Sequence, residues 1–190
     1  MNLFYESLPT SVIVNGKPVR IRTDFREYIS LLDMLKDKDV KSVDKLLILS
    51  EYFLDDIEIS QPAIDALCDF MSADFSDGEV SQTGTVRQKN LFSFSIDYPY
   101  ILSAFLRDYG IDLIDIKYLH WWKFRMLFDG LSEDNEIKKR IMYRGIDLSE
   151  VKDPEEKKRI QKIKKLINRT IEKAASEGGG TIYFPAGTYL

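Results

Sequence analysis

The sequence predicts a mainly α fold: a helical protein with a small N-terminal β-hairpin and a long amphipathic C-terminal helix. Three features carry this expectation. Asn15-Gly16 separates two short runs rich in β-branched residues. Apolar residues then recur three and four positions apart through most of the chain. Near the end, a stripe of isoleucines faces a row of lysines and arginines.

The hairpin comes first. Ser11-Val12-Ile13-Val14 and Val19-Arg20-Ile21-Arg22 flank Asn15-Gly16, two residues that tolerate positive φ and so suit a tight hairpin turn. Pro18 fits an edge position. An isolated two-stranded hairpin is marginal in water, so it has to pack on the helices that follow.

The first helix is expected to begin at Thr23 or Asp24, with Glu27 completing a capping box from Asp24. Phe25, Tyr28, Leu31 or Leu32, and Leu35 form its apolar side. A second helix is expected over about 43–54, burying Leu46, Leu47, Leu49 or Ser50, Phe53 and Leu54. A third opens at Ser60 with Pro62 in its first turn and runs to about Ala73. Residues 1–75 thus make one expected unit of hairpin and helices. Residues 76–89 are too polar to bury a core and read as a linker or loop.

Residues 90–170 form an aromatic-rich helical region. Tyr98, Ile101, Leu102, Phe105, Leu106 and Tyr109 make a helical stripe that Gly110 stops. A helix from about Ile116 carries Leu119, Trp122, Phe124 or Lys123, Met126 and Phe128, and ends at Gly130. Ser132 is placed to cap the next, with Ile137, Ile141 and Met142 inward and Gly145 as its stop. After Asp153-Pro154, the stripe Ile160, Ile163, Ile167, Ile171 and Ala174 defines the final helix. Lys157, Lys158, Arg159, Lys162, Lys164, Lys165 and Arg169 load its other face. A Glu155–Arg159 pair has the spacing for i,i+4 support.

Composition removes several function classes. Lys plus Arg number 27 against 31 Asp plus Glu, a net charge of −4, which argues against nucleic acid as the main ligand. Cys68 is the only cysteine, so no intrachain disulfide forms; its apolar run suggests a small buried hydrophobe. The amino terminus lacks the basic and apolar regions of a signal peptide. No uncharged apolar run approaches the ~20 residues of a membrane span. The expected location is the cytoplasm, with no membrane partner.

Chemistry is equally sparse. His120 is the only histidine, and no Gly-x-Ser-x-Gly elbow presents a serine to it. Asp55-Asp56-Ile57-Glu58 and Glu133-Asp134-Asn135-Glu136 lack the spacing of a calcium loop. Asp112 and Asp115 read as caps of the following helix. Gly178-Gly179-Gly180 follows a helix and precedes a strand, the wrong order for a phosphate-binding loop. No catalytic, metal or cofactor residues are assigned, and no enzyme activity is expected.

The candidate interaction residues are Tyr118, His120, Trp121, Trp122, Phe124 and Arg125. On one helix, Trp121 and Trp122 point roughly one hundred degrees apart. Two arrangements are open: one indole in the core with its neighbour at a partner contact, or both buried between the two halves of the protein.

The stretch Ile96-Asp97-Tyr98-Pro99-Tyr100-Ile101-Leu102-Ser103-Ala104-Phe105-Leu106-Arg107-Asp108-Tyr109-Gly110 closely resembles the phage gene-product-fifteen family. So do Tyr118-Leu119-His120-Trp121-Trp122-Lys123-Phe124 and Leu127-Phe128-Asp129-Gly130-Leu131. Asn15-Gly16-Lys17, Arg22-Thr23-Asp24-Phe25-Arg26 and Ile141-Met142-Tyr143-Arg144-Gly145 fit the same pattern over roughly residues 7–168. The resemblance implies a tail-assembly chaperone that binds the phage tape-measure protein and helps recruit major tail-tube subunits. It also implies contact with itself or a companion chaperone, action in the host bacterial cytoplasm, and departure before the virion is complete. A structural tail component of the virion is the alternative.

Residues 171–190 depart from that pattern. Gly178-Gly179-Gly180-Thr181-Ile182-Tyr183-Phe184-Pro185-Ala186-Gly187-Thr188-Tyr189-Leu190 resembles the opening of a pectate-lyase-like β-helix, as in phage tailspikes. One incomplete coil cannot supply lyase or hydrolase activity, so the segment reads as a foreign tail, a truncated fusion to a tailspike.

Overall fold

The hairpin turn forms where Asn15-Gly16 demanded it. In the computed structural model, which describes residues 4–73 and 91–176 with side chains through Ile167, both turn residues have positive φ, 50° and 78°. They join β1 (Ser11–Val14) to β2 (Lys17–Arg20), antiparallel with Val12 opposite Val19 and Ile13 opposite Pro18. Val12, Val14 and Val19 are buried and Ile13 is exposed, the alternation of a hairpin with one covered face.

The seven helices among the described residues are α1 (Phe25–Lys36), α2 (Ser42–Ser50), α3 (Gln61–Ser72), α4 (Phe94–Tyr109), α5 (Trp121–Asp129), α6 (Glu136–Gly145) and α7 (Pro154–Ser176). The described residues form two compact units, 4–73 with 117–127, and 91–116 with 128–176. Residues 117–127, read from sequence with the 90–170 region, therefore belong to the first unit. The expected 76–89 linker lies outside the described residues, as do 177–190 of the expected tail.

In the first unit β1 packs on α3. Asp24 caps α1 by accepting from the Arg26 N–H at 3.0 Å. The expected box with Glu27 does not close. Glu27 instead takes Arg22 Nη1 at 2.8 Å, because a guanidinium is a stronger partner than one backbone amide. Burial raises the Glu27 pKa, opposed by Arg22. Phe25, Tyr28 and Leu31 form the buried face of α1.

Helix α2 stops at Ser50, not at Leu54. Beyond it the chain pairs with the strand-like segment that leaves the hairpin: Arg22 N donates to Tyr52 O at 2.9 Å and Leu54 N to Arg20 O at 2.8 Å. These long-range bonds satisfy backbone groups that another helical turn would have claimed. Helix α3 begins after Ser60 with Pro62 in its first turn, as its sequence signals require.

The second unit holds α4, α6 and α7 together. Helix α4 begins at Phe94 and carries Pro99 inside it, an earlier start than the Tyr98 stripe suggested. The Asp97 carboxylate explains this. It accepts from Ser93 N at 3.0 Å and binds Arg144 through two bonds, Oδ2–Nη1 at 2.7 Å and Oδ1–Nη2 at 3.0 Å. Arg144 Nη1 also donates to Leu91 O at 3.0 Å. Gly110 ends the helix at φ 65°, its N–H donating to Leu106 O, the left-handed stop glycine favours.

Residues 112–116 form turns, not the start of a helix, and Asp112 caps only a local turn by accepting from Ile114 N at 2.8 Å. Asn135, not Ser132, is the residue before α6. Ser132 and Asn135 both donate to Asp108, whose pKa is lowered chiefly by the Ser132 N–H. Ile137 is buried in α6, but Met142 is exposed. In α7, Asp153 accepts from Glu155 N, Ile160 and Ile167 are buried, and Glu155 pairs with Lys158 rather than Arg159. No helix among the described residues is long and apolar enough to cross a membrane.

Candidate interaction surface

The aromatic segment singled out by sequence is mostly core. The chain enters it by pairing with the start of α1: Phe25 N donates to Leu119 O at 2.9 Å and Trp121 N to Thr23 O at 2.7 Å. This docking turns the backbone so that α5 starts at Trp121, five residues later than Ile116. Trp121 and Phe124 are wholly buried. Trp121 lies 5.4 Å from Tyr28 and 5.8 Å from Phe124, and Phe124 stacks on Phe25 at 4.8 Å.

Both indoles close the carboxy-terminal end of α3. Trp121 Nε1 donates to Met71 O at 3.0 Å and Trp122 Nε1 to Phe70 O at 2.8 Å. The last carbonyls of a helix lack intrahelical donors; Trp121 supplies one to Met71 O, and Trp122 adds a second to Phe70 O, which also accepts from Ala73 N at 3.2 Å. Trp122 is half-buried and stacks on Phe70 at 5.6 Å. Trp121 is thus the core indole of the pair, and Trp122, anchored in the same unit, is only partly covered. Arg125 is half-buried with its guanidinium 5.5 Å from the Trp121 ring. Tyr118 is exposed, its hydroxyl 2.7 Å from that of Thr23. Of the six candidates, it alone presents most of a ring to solvent.

His120 is a capping residue. Nδ1 accepts the Trp122 N–H at 3.0 Å, and Nε2 lies 2.9 Å from Pro9 O. An amide donor on one nitrogen and a carbonyl on the other assign the neutral tautomer with hydrogen on Nε2. Burial lowers its pKa from 6.5, with Pro9 O opposing. Protonation consequently favours the unfolded chain. The His120 contribution to stability is complete above pH 6.5 and is lost as pH falls toward the depressed folded value. Urea unfolding from pH 7.5 to 5 should show a loss in the wild-type chain that His120→Asn lacks; parallel profiles for the two would contradict it.

Cys68 is exposed on α3, not buried as its apolar run suggested. Ala63, Leu67, Phe70 and Met71 take the covered face. Desolvation, then Asp65 and Asp69, raise the thiol pKa, which disfavours the reactive thiolate. Asp55 is engaged by Arg20 through main-chain and side-chain bonds. Among the described residues, no three potential ligands converge as a metal site.

The apolar surface that is exposed lies elsewhere. Val43, Leu46 and Leu47 stand on one side of α2, 75%, 44% and 66% exposed; three- and four-residue spacing puts them on one face. Leu49 is the buried residue of that helix. Leu54, also expected inside, is 53% exposed. Lys45 helps fix α2 by donating to Leu35 O and Asp37 O at 2.8 and 2.6 Å. The sequence placed Leu46 and Leu47 on the covered side of this helix instead, because residues 46–49 are apolar all round it and periodicity cannot choose among them.

A family model described as Bacteriophage Gp15 protein matches residues 4–168. No curated protein and no solved structure matches the chain. The likeness of residues 171–190 to a pectate-lyase-like β-helix has no counterpart in these comparisons.

Proposed function

Because the chain belongs to the bacteriophage Gp15 family, which marks it as a phage structural or morphogenesis protein, we propose that it is a non-catalytic tail-assembly chaperone. It binds the tape-measure protein in the host cytoplasm, helps bring tail-tube subunits to it, and leaves before the particle is finished. The exposed face of Val43, Leu46 and Leu47 on α2 carries this reading. An apolar helical face offered to solvent is suited to cover another apolar helix, and exposed apolar patches mark interaction sites more often than chance. The aromatic segment has a different part in it: Trp121, Phe124 and His120 are buried and hold α1 and α3 of the first unit.

Co-expression of the full chain with the tape-measure protein encoded by the same phage tests the proposal. The tape measure should be soluble and co-purify with this chain. Leu46→Glu with Leu47→Glu should abolish co-purification while leaving the thermal transition of the chain within a few degrees of wild type, because both side chains are exposed. A tape measure that stays insoluble and never associates would overturn the chaperone reading, and recovery of the protein from purified particles would establish a virion component instead.

A further inference from the structure

A second surface lies in the other unit. Helices α6 and α7 pack together and leave between them an open groove of about 240 Å³, with Tyr143, Ile163, Leu166 and Ile167 as its apolar lining. Leu166 is 71% exposed, unusual for a leucine beside a helix–helix seam. The volume is below the ~300–1,000 Å³ of small-molecule sites. It suits one or two apolar side chains carried by a larger partner.

The charge around this lining is one-sided. Lys139 and Arg140 line the groove from α6 together with one acid, Glu136. That acid is already engaged by Arg140 Nε at 2.9 Å. The Arg140 guanidinium is further held 3.8 Å from the Tyr100 ring centre, and its Nη1 is buried without an acceptor. On α7, Arg159 and Lys162 precede Leu166 by seven and four residues, which places all three on one side of the helix. Lys139, Arg159 and Lys162 are exposed and make no ion pair among the described residues. Glu155, which the same spacing places on that side of α7, is paired with Lys158 at 2.9 Å, so Lys139 on α6 and Arg159 and Lys162 on α7 flank the apolar strip with positive charge.

We propose that the α6–α7 groove docks an amphipathic helical segment of a partner protein whose apolar residues are flanked by aspartates and glutamates. Two neighbouring helices make a groove into which a third packs by its apolar ridge. The cations select the acidic flanks and steer the encounter. The apolar lining favours a protein over a nucleic acid, which would leave Leu166 and Ile163 uncovered. This surface is separate from α2, so it stands or falls independently of the tape-measure reading.

The test uses the full chain and two labelled synthetic helices of about 18 residues, five helical turns. Both have leucine at i, i+3, i+4 and i+7; one has glutamate and the other lysine elsewhere. Fluorescence anisotropy should show the glutamate peptide binding about tenfold or more tighter than its lysine twin, less so as salt rises. Lys139→Gln with Lys162→Gln should remove that preference, and Leu166→Asp should abolish binding with the melting temperature unchanged. Equal binding of the twins, or binding indifferent to these substitutions, would overturn the proposal. So would self-association of the chain dispersed by Leu166→Asp, which makes a second copy the occupant. Displacement of the peptide by a short DNA duplex would overturn it in favour of a polyanion.

Discussion

Trp121→Ala is expected to cost about 3–5 kcal/mol in urea unfolding of the full chain, the range for truncating a large buried aromatic. The side chain is wholly buried, so its removal leaves a cavity lined by Tyr28 and Phe124. It also takes the donor from Met71 O, leaving a buried carbonyl at the end of α3 to find another. Trp121→Phe separates the two contributions: it retains most of the apolar contact but not the N–H, so a smaller loss of about 1–3 kcal/mol is expected. Trp122→Ala should be milder than Trp121→Ala because that ring is only half-buried, although it too donates to a carbonyl of α3. Equal losses for the two alanine variants would contradict this division of roles.

The second large effect is expected at Arg144. Arg144→Met removes both bonds to the Asp97 carboxylate, whose side chain is fully buried. An ion stranded in the interior costs about 3–5 kcal/mol. The same change deprives Leu91 O of its donor. Asp97→Asn in the Arg144→Met background should recover part of the loss, since a neutral amide tolerates burial without a counter-ion and the pair is strongly coupled. Additive losses in the double variant would show that the ion pair is not what Arg144 contributes. Local readouts are specific here. Asp97 also accepts from Ser93 N at the start of α4, so amide exchange should quicken first near residues 93–97.

The tryptophan variants define what the His-Trp-Trp-Lys-Phe segment does. In sequence it has the composition of an interface, rich in the residues found at binding hot spots. In the folded chain the same residues fasten the end of α3 and the beginning of α1, and His120 caps the helix that carries them. Aromatic richness marks burial of large area at low entropy cost, and that serves a core as well as a contact. Which of the two applies depends on partners fifty or more residues away, such as Phe70 and Met71 for the indoles and Pro9 for the imidazole.

The local signals were legible where a single short stretch dictates geometry. Asn15-Gly16 specified the hairpin, Asp24 capped α1, Pro62 started α3, Gly110 stopped α4, and Asp153-Pro154 opened α7. Each depends on a φ preference or a side chain reaching its own backbone, so no distant residue is needed. The helical class and the family likeness were legible for the same reason: both are properties of the residue string. Tertiary structure alone decided the rest. It ended α2 early by offering residues 52–54 a partner at 20–22, and began α5 late by pairing 119–121 with 23–25. It turned Val43, Leu46 and Leu47 outward and Trp121 inward. Periodicity states that a helix has an apolar side, but only the packed chain determines what covers it, because burial is a relation between segments that the string does not contain.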